Sequence, residues 1–351
     1  DLKSLTEKLR AGRDLNRAEI ARAVVQLLAP ETAGEMKAEF LTALHRKGET
    51  AEEIAGFVEQ LIDRAIDPLV RQEDVPGPMI DVCGTGGSGL DIYNVSTAIM
   101  FILAAGGACV VKHGNRSVTS CCGSADVLEA LGIRLEWEPS ALKECVQRLG
   151  LGFLFARYYH PAFRALADLR AELARARVRT IFNLLGPLLN PARPPRQLIG
   201  VYAPRLTSVF AEVLRQLGRE RAWIVHGQAD TGAGMDDIAT GGVTTLAELN
   251  DGRVSSAVID CRWLGVQQSD LAELRGGSAP ENAKTLVDVL SGEMRGGKRD
   301  LALVNAAGGF VVAGLARDIR EGIALAAEQI DSGRALEKLR ALQNYDAAVS
   351  R

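Results

Sequence analysis

Apolar residues recur at three- and four-residue spacing through the first 65 positions, and that spacing predicts helices over 1–9, 16–28, 33–47 and 51–65. Thr50, followed by Glu52 and Glu53, has the character of an N-cap with first-turn acids. Pro68 and the RQEDVPGP run at 71–78 then break the periodicity, which places a boundary after a small helical unit, 1–75. Beyond it, short apolar runs at 79–82, 108–111, 198–202 and 222–225 read as strands alternating with helical stretches at 98–105 and 207–217. This is the pattern of an α/β domain with a mainly parallel central sheet flanked by helices. Residues 243–254, with Asn250-Asp251-Gly252 inside them, read as a hairpin.

Composition changes this picture little. A chain of 351 residues with 47% hydrophobic and 24% charged residues has room for one large domain and a smaller one. A formal charge of −3 gives no global field toward nucleic acid or an anionic membrane. The longest apolar run, 98–111, contains two glycines and is too short to span a bilayer. Six cysteines, at 83, 109, 121, 122, 145 and 261, form no CxxC pair and have no histidine at zinc-site spacing, as expected of reduced thiols in a cytoplasmic protein.

The chemistry is concentrated between Asp81 and Gly132. Gly84-Thr85-Gly86-Gly87 follows a strand end and lets backbone N–H groups approach a ligand closely. Asn94, Ser96 and Thr97 are placed to cap the helix at 98–105, whose N-terminus favours negative charge. Lys112 stands at the end of the next apolar run, followed by the Gly114-Asn115 turn, so a cation and several neutral donors converge as a polyanion requires. Taken alone, the glycine turn is also compatible with a plain strand-to-helix connection. The GxxxxGK[ST] spacing is absent, and Asp91 and Asn94 fall where a dinucleotide-binding helix would already be running. Asp236-Asp237 reads either as a helix-start acid pair or as paired oxygen ligands for Mg²⁺. Arg170 lies in a run with Arg164, Arg175, Arg177 and Arg179 that reads as solvated helix surface or a local basic stripe, and His113 reads as a loop histidine satisfied by backbone.

Twelve motifs in order carry a resemblance over nearly the whole chain: GTGG at Gly84, NVST at Asn94, KHGNRSV at Lys112, GSADVLEALG at Gly123, FLFA at Phe153, HPA at His160, RTIFNLLGPLLNP at Arg179, GVY at Gly200, VHG at Val225, GMDD at Gly234, ENA at Glu281 and VNAAG at Val304. Together they resemble the anthranilate phosphoribosyltransferases of the nucleoside phosphorylase/phosphoribosyltransferase family. The resemblance implies a helical domain, 1–75, joined by helices from about 140–175, and a phosphoribosyl-diphosphate-binding α/β domain, 76–351. It implies transfer of the phosphoribosyl group of 5-phosphoribosyl 1-diphosphate to the amine of anthranilate in tryptophan biosynthesis. It further implies Mg²⁺, two ions with bound donor, and a homodimer.

Residue by residue, the resemblance places substrate contacts at Gly84, Thr85, Gly87, Ser88, Asn94, Val95, Ser96, Thr97, Lys112, His113, Gly114, Asn115, Ser120 and Ser124, with Asn115, His160, Arg170 and Pro187 near anthranilate. Lys112, Asn115 and Arg170 stand as catalytic candidates, and Ser96, Asp236 and Asp237 as metal contacts. The chain departs from the family pattern at Ser88, where aspartate is usual, at Ile92 for threonine, at Asp237 for glutamate and at Thr119-Ser120-Cys121-Cys122 for a serine-rich turn. It is also longer by about three residues between Arg170 and Arg179, with a similar extension between Gly227 and Asp236, and loops of this kind carry substrate choice. Three other readings stay open: a different aromatic or nucleobase acceptor, a pyrimidine nucleoside phosphorylase, and a nucleic-acid-binding paralogue without transferase activity. NLLGPLLNP and the acid pair favour the transferase, and the negative charge disfavours nucleic acid.

Overall fold

The computed structural model describes residues 1–117 and 121–349. Its first unit consists of α1 (Leu2–Arg10), α2 (Arg17–Leu28), α3 (Gly34–Lys47) and α4 (Ala51–Ile62). Local chemistry sets the starts: Asn16 with Glu19 and Thr50 with Glu53 form reciprocal capping boxes. Glu53 is fully buried and also accepts from Leu15 N at 2.9 Å and Lys47 Nζ at 2.8 Å, so one carboxylate joins the starts of α2 and α4 to the end of α3.

The second unit is built on an eight-stranded sheet of β1 (Met79–Gly84), β2 (Cys109–Gly114), β3 (Leu151–Phe155), β4 (Arg196–Gly200), β5 (Arg221–Gln228), β6 (Gly234–Met235), β7 (Val243–Asn250) and β8 (Arg253–Asp260). The order is β3-β2-β1-β4-β5-β7-β8, with β6 on β5; β1 to β5 run parallel, and β6, β7 and β8 pair antiparallel. The expected hairpin is β7–β8, turned by Asp251 and Gly252 at φ 46° and 79°, the left-handed pair a two-residue turn requires.

Helices α5 (Val95–Ala105), α6 (Ser124–Ala130), α7 (Pro139–Leu149), α8 (Ala156–Tyr159), α9 (Ala167–Arg175), α10 (Phe182–Leu185) and α11 (Leu206–Gln216) connect the parallel strands. The chain closes with α12 (Leu271–Leu274), α13 (Ala279–Leu290), α14 (Gly297–Ala313), α15 (Ile319–Asp331) and α16 (Arg334–Val349). Successive residues of a strand face opposite ways, so the sheet separates two cores. Leu198, Trp223 and Val225 pack toward α5 and α14, whereas Ile199, Ala222 and Ile224 pack toward α11 and the helical bundle. The stretch at about 140–175 divides between them. Leu142, Cys145 and Val146 of α7 belong to the first core, while Leu166, just before α9, belongs to the second.

Two local expectations are corrected. Strand β2 continues to Gly114, so Lys112 lies inside it, paired with Phe153, and His113 is a strand residue rather than a loop residue. Helix α5 begins at Val95 with Asn94 at the N-cap position, but the Asn94 side chain makes no capping bond. Among the described residues no disulfide joins any of the six cysteines.

Candidate active site

The glycine turn after β1 is stitched to the end of β4. Thr85 N donates to Gly200 O at 2.9 Å, and Tyr202 N donates to Thr85 Oγ1 at 3.1 Å. Gly86, Gly87 and Gly89 take φ of 62°, 76° and 74°, the left-handed region that a side chain disfavours. Gly84 and Gly200 are glycines for a different reason. A Cβ on either would meet Asp236, at 2.6 Å from Oδ2 and 1.6 Å from its carbonyl oxygen respectively.

Asp236 and Asp237 directly follow β6, and among the described residues the next α-helix begins only at Leu271, so they are not a helix-start acid pair. Asp236 Oδ2 accepts from Gly86 N at 2.9 Å, which brings the pair against the turn. Enclosure by protein atoms and the adjacent Asp236 push the Asp237 carboxyl well above the usual carboxylate range.

A crevice of ≈ 190 Å³ lies between these elements. Gly84, Gly87, Ser88, Asn94, Val95 and Ser96 line it, with Asp236 and Asp237. Asn94 is fixed across its mouth by donating to Cys122 O at 3.1 Å and accepting from Asn282 Nδ2 at 3.0 Å, which is why it does not cap α5. Ser88 Oγ accepts from Leu90 N at 3.4 Å. Ser124 Oγ donates to Asn115 O at 3.3 Å, and Asn115 Oδ1 accepts from Arg116 N at 2.8 Å. Thr97 is buried in the first turn of α5, and its Oγ1 has no partner among the described residues. Ser120 lies outside the described residues.

Lys112 stands behind this crevice. It is buried, and its Nζ donates to Val82 O at 2.6 Å and Ser96 Oγ at 3.1 Å. Burial pushes its pKa down while Asp81 and Asp237 hold it up. Asp81, in the middle of β1, accepts from His113 N at 3.1 Å and Asn190 Nδ2 at 2.9 Å, and burial pushes its carboxyl up to about 6. Lys112 thus orients Ser96 and compensates two carboxyls from below.

The other expected residues gather in a second cluster. His113 and His160 meet edge to face at 5.3 Å, His160 stacks on Phe163 at 5.2 Å, and Arg170 lies 5.2 Å from the Phe182 ring and 5.9 Å from Phe163. His113 Nδ1 donates to Gly186 O at 3.1 Å and His160 Nε2 donates to Leu189 O at 2.8 Å, because a carbonyl can only accept. Burial lowers their pKa values to about 3 and about 4, so both rings are neutral at pH 7. His113 Nε2 is buried without a partner among the described residues. Pro187 is buried beside them, its carbonyl accepting from Gln197 Nε2 at 3.1 Å. Arg170 therefore sits on aromatic faces rather than in a solvated stripe, and burial lowers its pKa.

The sequence reading missed four contributors. Asp81 was visible as a lone charge in an apolar strand, and Asn282 and Asn305 as polar residues within the ENA and VNAAG motifs. Asn305 Oδ1 accepts from Ile238 N at 2.8 Å and so holds the backbone just past Asp237. Arg179 was visible as the first residue of RTIFNLLGPLLNP but without a role: it lies 4.2 Å over the Tyr202 ring and donates to Gly87 O at 3.3 Å.

The donor set suits a hard cation. Two adjacent carboxylates and the Ser96 hydroxyl offer oxygen only, and the crowded Asp237 carboxyl is the kind of group a dication relieves. Among the described residues there is no cluster of three or more His, Cys, Asp or Glu able to hold a metal. Mg²⁺ ordinarily keeps several waters and takes phosphate oxygens beside one or two carboxylates. No helix among the described residues is long and apolar enough to cross a membrane.

Comparison with known proteins follows the same division of the chain. Residues 3–65 match the helical bundle domain, and residues 76–336 the a/b domain, of a glycosyl transferase family. An anthranilate phosphoribosyltransferase of Anaeromyxobacter dehalogenans is 47% identical over 95% of this chain and 96% of its own. The anthranilate phosphoribosyltransferase structure from Thermus thermophilus superimposes with a TM-score of 0.88 at 37% identity, covering 98% of this chain and 99% of that one. The Saccharomyces cerevisiae enzyme in complex with PRPP and Mg gives 0.87 at 26% identity, covering 99% and 98%. The same yeast enzyme in complex with 4-fluoroanthranilate gives 0.85 at 26%, with the same coverage.

Proposed function

Because the chain belongs to this glycosyl transferase family and, within it, to the anthranilate phosphoribosyltransferases, we infer that it transfers the phosphoribosyl group of 5-phosphoribosyl 1-diphosphate to the amine of anthranilate in tryptophan biosynthesis. The observation that carries the reading is the meeting of the Asp236-Asp237 pair with the glycine turn at the first turn of α5, in one oxygen-rich crevice.

In this reaction the amine nitrogen bonds to the anomeric carbon while the bond to the diphosphate oxygen breaks and diphosphate leaves with the electron pair, and the nitrogen then gives up one proton to water. The glycine turn and the α5 N-terminus supply N–H groups and a favourable dipole for the anionic donor. Lys112 adds positive potential from behind Ser96. Asp236, Asp237 and Ser96 would hold Mg²⁺, which when bound neutralises charge on the diphosphate. We place the acceptor at the second cluster, where neutral His113 and His160 and the rings of Phe163 and Phe182 suit an aromatic body and Arg170 suits its carboxylate. An imidazole whose pKa is pushed to about 3 is a poor base, so we assign His113 no proton-transfer role. Alignment of two reactants is itself worth up to roughly 7–11 kcal/mol at the favourable limit.

The finer parts of the reading are dependence on Mg²⁺, two ions with bound donor, a homodimer and a cytoplasmic location. Diphosphate release from 5-phosphoribosyl 1-diphosphate, followed with anthranilate, other aromatic amines and nucleobases across a Mg²⁺ titration, tests the reaction. Release with another amine or a nucleobase but none with anthranilate would overturn the acceptor assignment. Sedimentation tests the dimer.

A further inference from the structure

Cys121 and Cys122 stand side by side between β2 and α6, at a position the proposed reaction leaves without a use for a thiol. Cys121 is the exposed one of the six thiols, and Cys122 is buried. Both are bonded through their backbones to the wall of the donor crevice. Cys121 N donates to Asp91 Oδ1 at 3.2 Å, and Cys122 O accepts from Asn94 Nδ2 at 3.1 Å. Asp91 and Asn94 both line the crevice. Asp91 O also accepts from Gly276 N at 2.8 Å, so the same residue ties the crevice loop to the approach to α13.

We propose that Cys121 and Cys122 form a peroxide-oxidisable dithiol whose closure to a disulfide weakens donor binding. The proposal rests on the reading of this crevice as the donor site. In the first step the exposed Cys121 thiolate attacks a hydroperoxide, the O–O bond breaks, hydroxide or alkoxide leaves, and Cys121 becomes a sulfenic acid. In the second, the Cys122 sulfur attacks the Cys121 sulfur, the S–O bond breaks, and the Cys122 proton leaves with the oxygen as water. Two thiols lose two electrons and one hydroperoxide gains them.

Geometry makes such a bridge both reversible and disruptive. Consecutive Cα atoms lie about 3.8 Å apart across a trans peptide, whereas disulfides ordinarily join Cα atoms roughly 4.4–6.8 Å apart. Closing the ring therefore twists the peptide between the two cysteines and swings the flanking groups, Cys121 N and Cys122 O, off Asp91 and Asn94. A strained bridge is also readily reduced. Loss of the two hydrogen bonds that position these walls corresponds to a rise in donor KM of about tenfold.

The experiment treats the full chain with hydrogen peroxide, quenches it, alkylates the remaining thiols and maps the peptides by mass. In parallel it measures donor KM before oxidation, after oxidation and after dithiothreitol. The expected result is a peptide lighter by two hydrogens that contains both cysteines, a raised donor KM, and recovery on reduction, with Cys121→Ser retaining its activity after peroxide. Inactivation of Cys121→Ser to the same degree overturns the proposal and points to another thiol such as Cys83. Oxygen addition at Cys121 without a bridge also overturns it. The bridge is read by mass alone, so absence of any donor-dependent activity in the reduced protein counts against the reaction assigned above and not against the dithiol.

Discussion

Asp236 accepts the amide of Gly86 at 2.9 Å across 150 residues of chain. That bond closes the crevice, because it sets an acid pair from the far side of β5 against the glycine turn. The space for it comes from two missing side chains, at Gly84 and Gly200.

Gly200→Ala forces this arrangement apart, since its Cβ would lie 1.6 Å from the Asp236 carbonyl oxygen. The backbone must move, and overpacking of this kind costs about 1–3 kcal/mol. We expect a lower urea midpoint together with a loss of turnover at limiting Mg²⁺. A variant matching the wild type in both would show that the Asp236 segment is not held against β4.

Asp236→Asn and Asp237→Asn should each shift the Mg²⁺ requirement upward and lower turnover, because an amide lacks the anionic oxygen a hard cation prefers. Steady-state rates across a Mg²⁺ titration are the check. Wild-type curves for both variants would remove the metal role. The same Asp237→Asn change should leave stability unchanged or raise it, since it neutralises a carboxyl whose ionised form is disfavoured.

Lys112→Met keeps most of the side-chain length and removes the charge. Its burial beside Asp81 and Asp237 makes this more than a loss of donor contact. Asp81 is buried, and removing the cation buried near it is destabilising, so chemical denaturation should show a fall in midpoint alongside the loss of activity. A midpoint equal to the wild type, with activity alone reduced, would mean the ammonium works only on substrate.

For Arg170, truncation to alanine should raise the anthranilate KM by roughly ten- to a hundredfold, the equivalent of about 1.5–3 kcal/mol for a charge-assisted bond. Donor KM should hardly move. Arg170→Lys should recover little, because a lysine neither pairs bidentately nor stacks on Phe163 and Phe182 in the same way. Equal use of anthranilate and of aniline-type amines by the wild type would contradict the carboxylate role.

The histidine pair gives a pH signature. His113 and His160 titrate near 3 and 4 when folded against an ordinary value of 6.5, so the unfolded chain takes up protons first as pH falls. Their contribution to stability is whole above about pH 6.5 and is lost as pH falls toward about 4 for His160 and about 3 for His113. Urea midpoints measured through that range should decline, and decline less steeply in His160→Gln, which keeps a donor for Leu189 O. Parallel slopes for the two proteins would count against a neutral buried His160.

The helices of the first unit were legible because their signals are local: Asn16 and Thr50 sit three residues from the glutamates that complete their caps. The hairpin at Asp251-Gly252 was legible for the same reason. The glycine turn and the acid pair stood out as motifs, but not their contact, which depends on how β4, β5 and β6 stack in the sheet. Lys112 was misjudged in depth because the apolar run stops one residue before it while the strand does not. A polar residue there is tolerated only because Val82 O, Ser96 and Asp81 lie beneath it. The aromatic setting of Arg170 comes from Phe163 and Phe182, on either side of it in sequence, and no periodicity announces it.

The alternation along β4 and β5 has a mechanical consequence. Leu198, Trp223 and Val225 face one core while Ile199, Ala222 and Ile224 face the other, so both cores share these strands as a common wall. Helix α11 lies between that wall and the bundle, so pulling the helical bundle away would expose α11 where it meets α4. The two units are therefore poor candidates for independent folding, and calorimetry on the intact chain should record a single melting event rather than two.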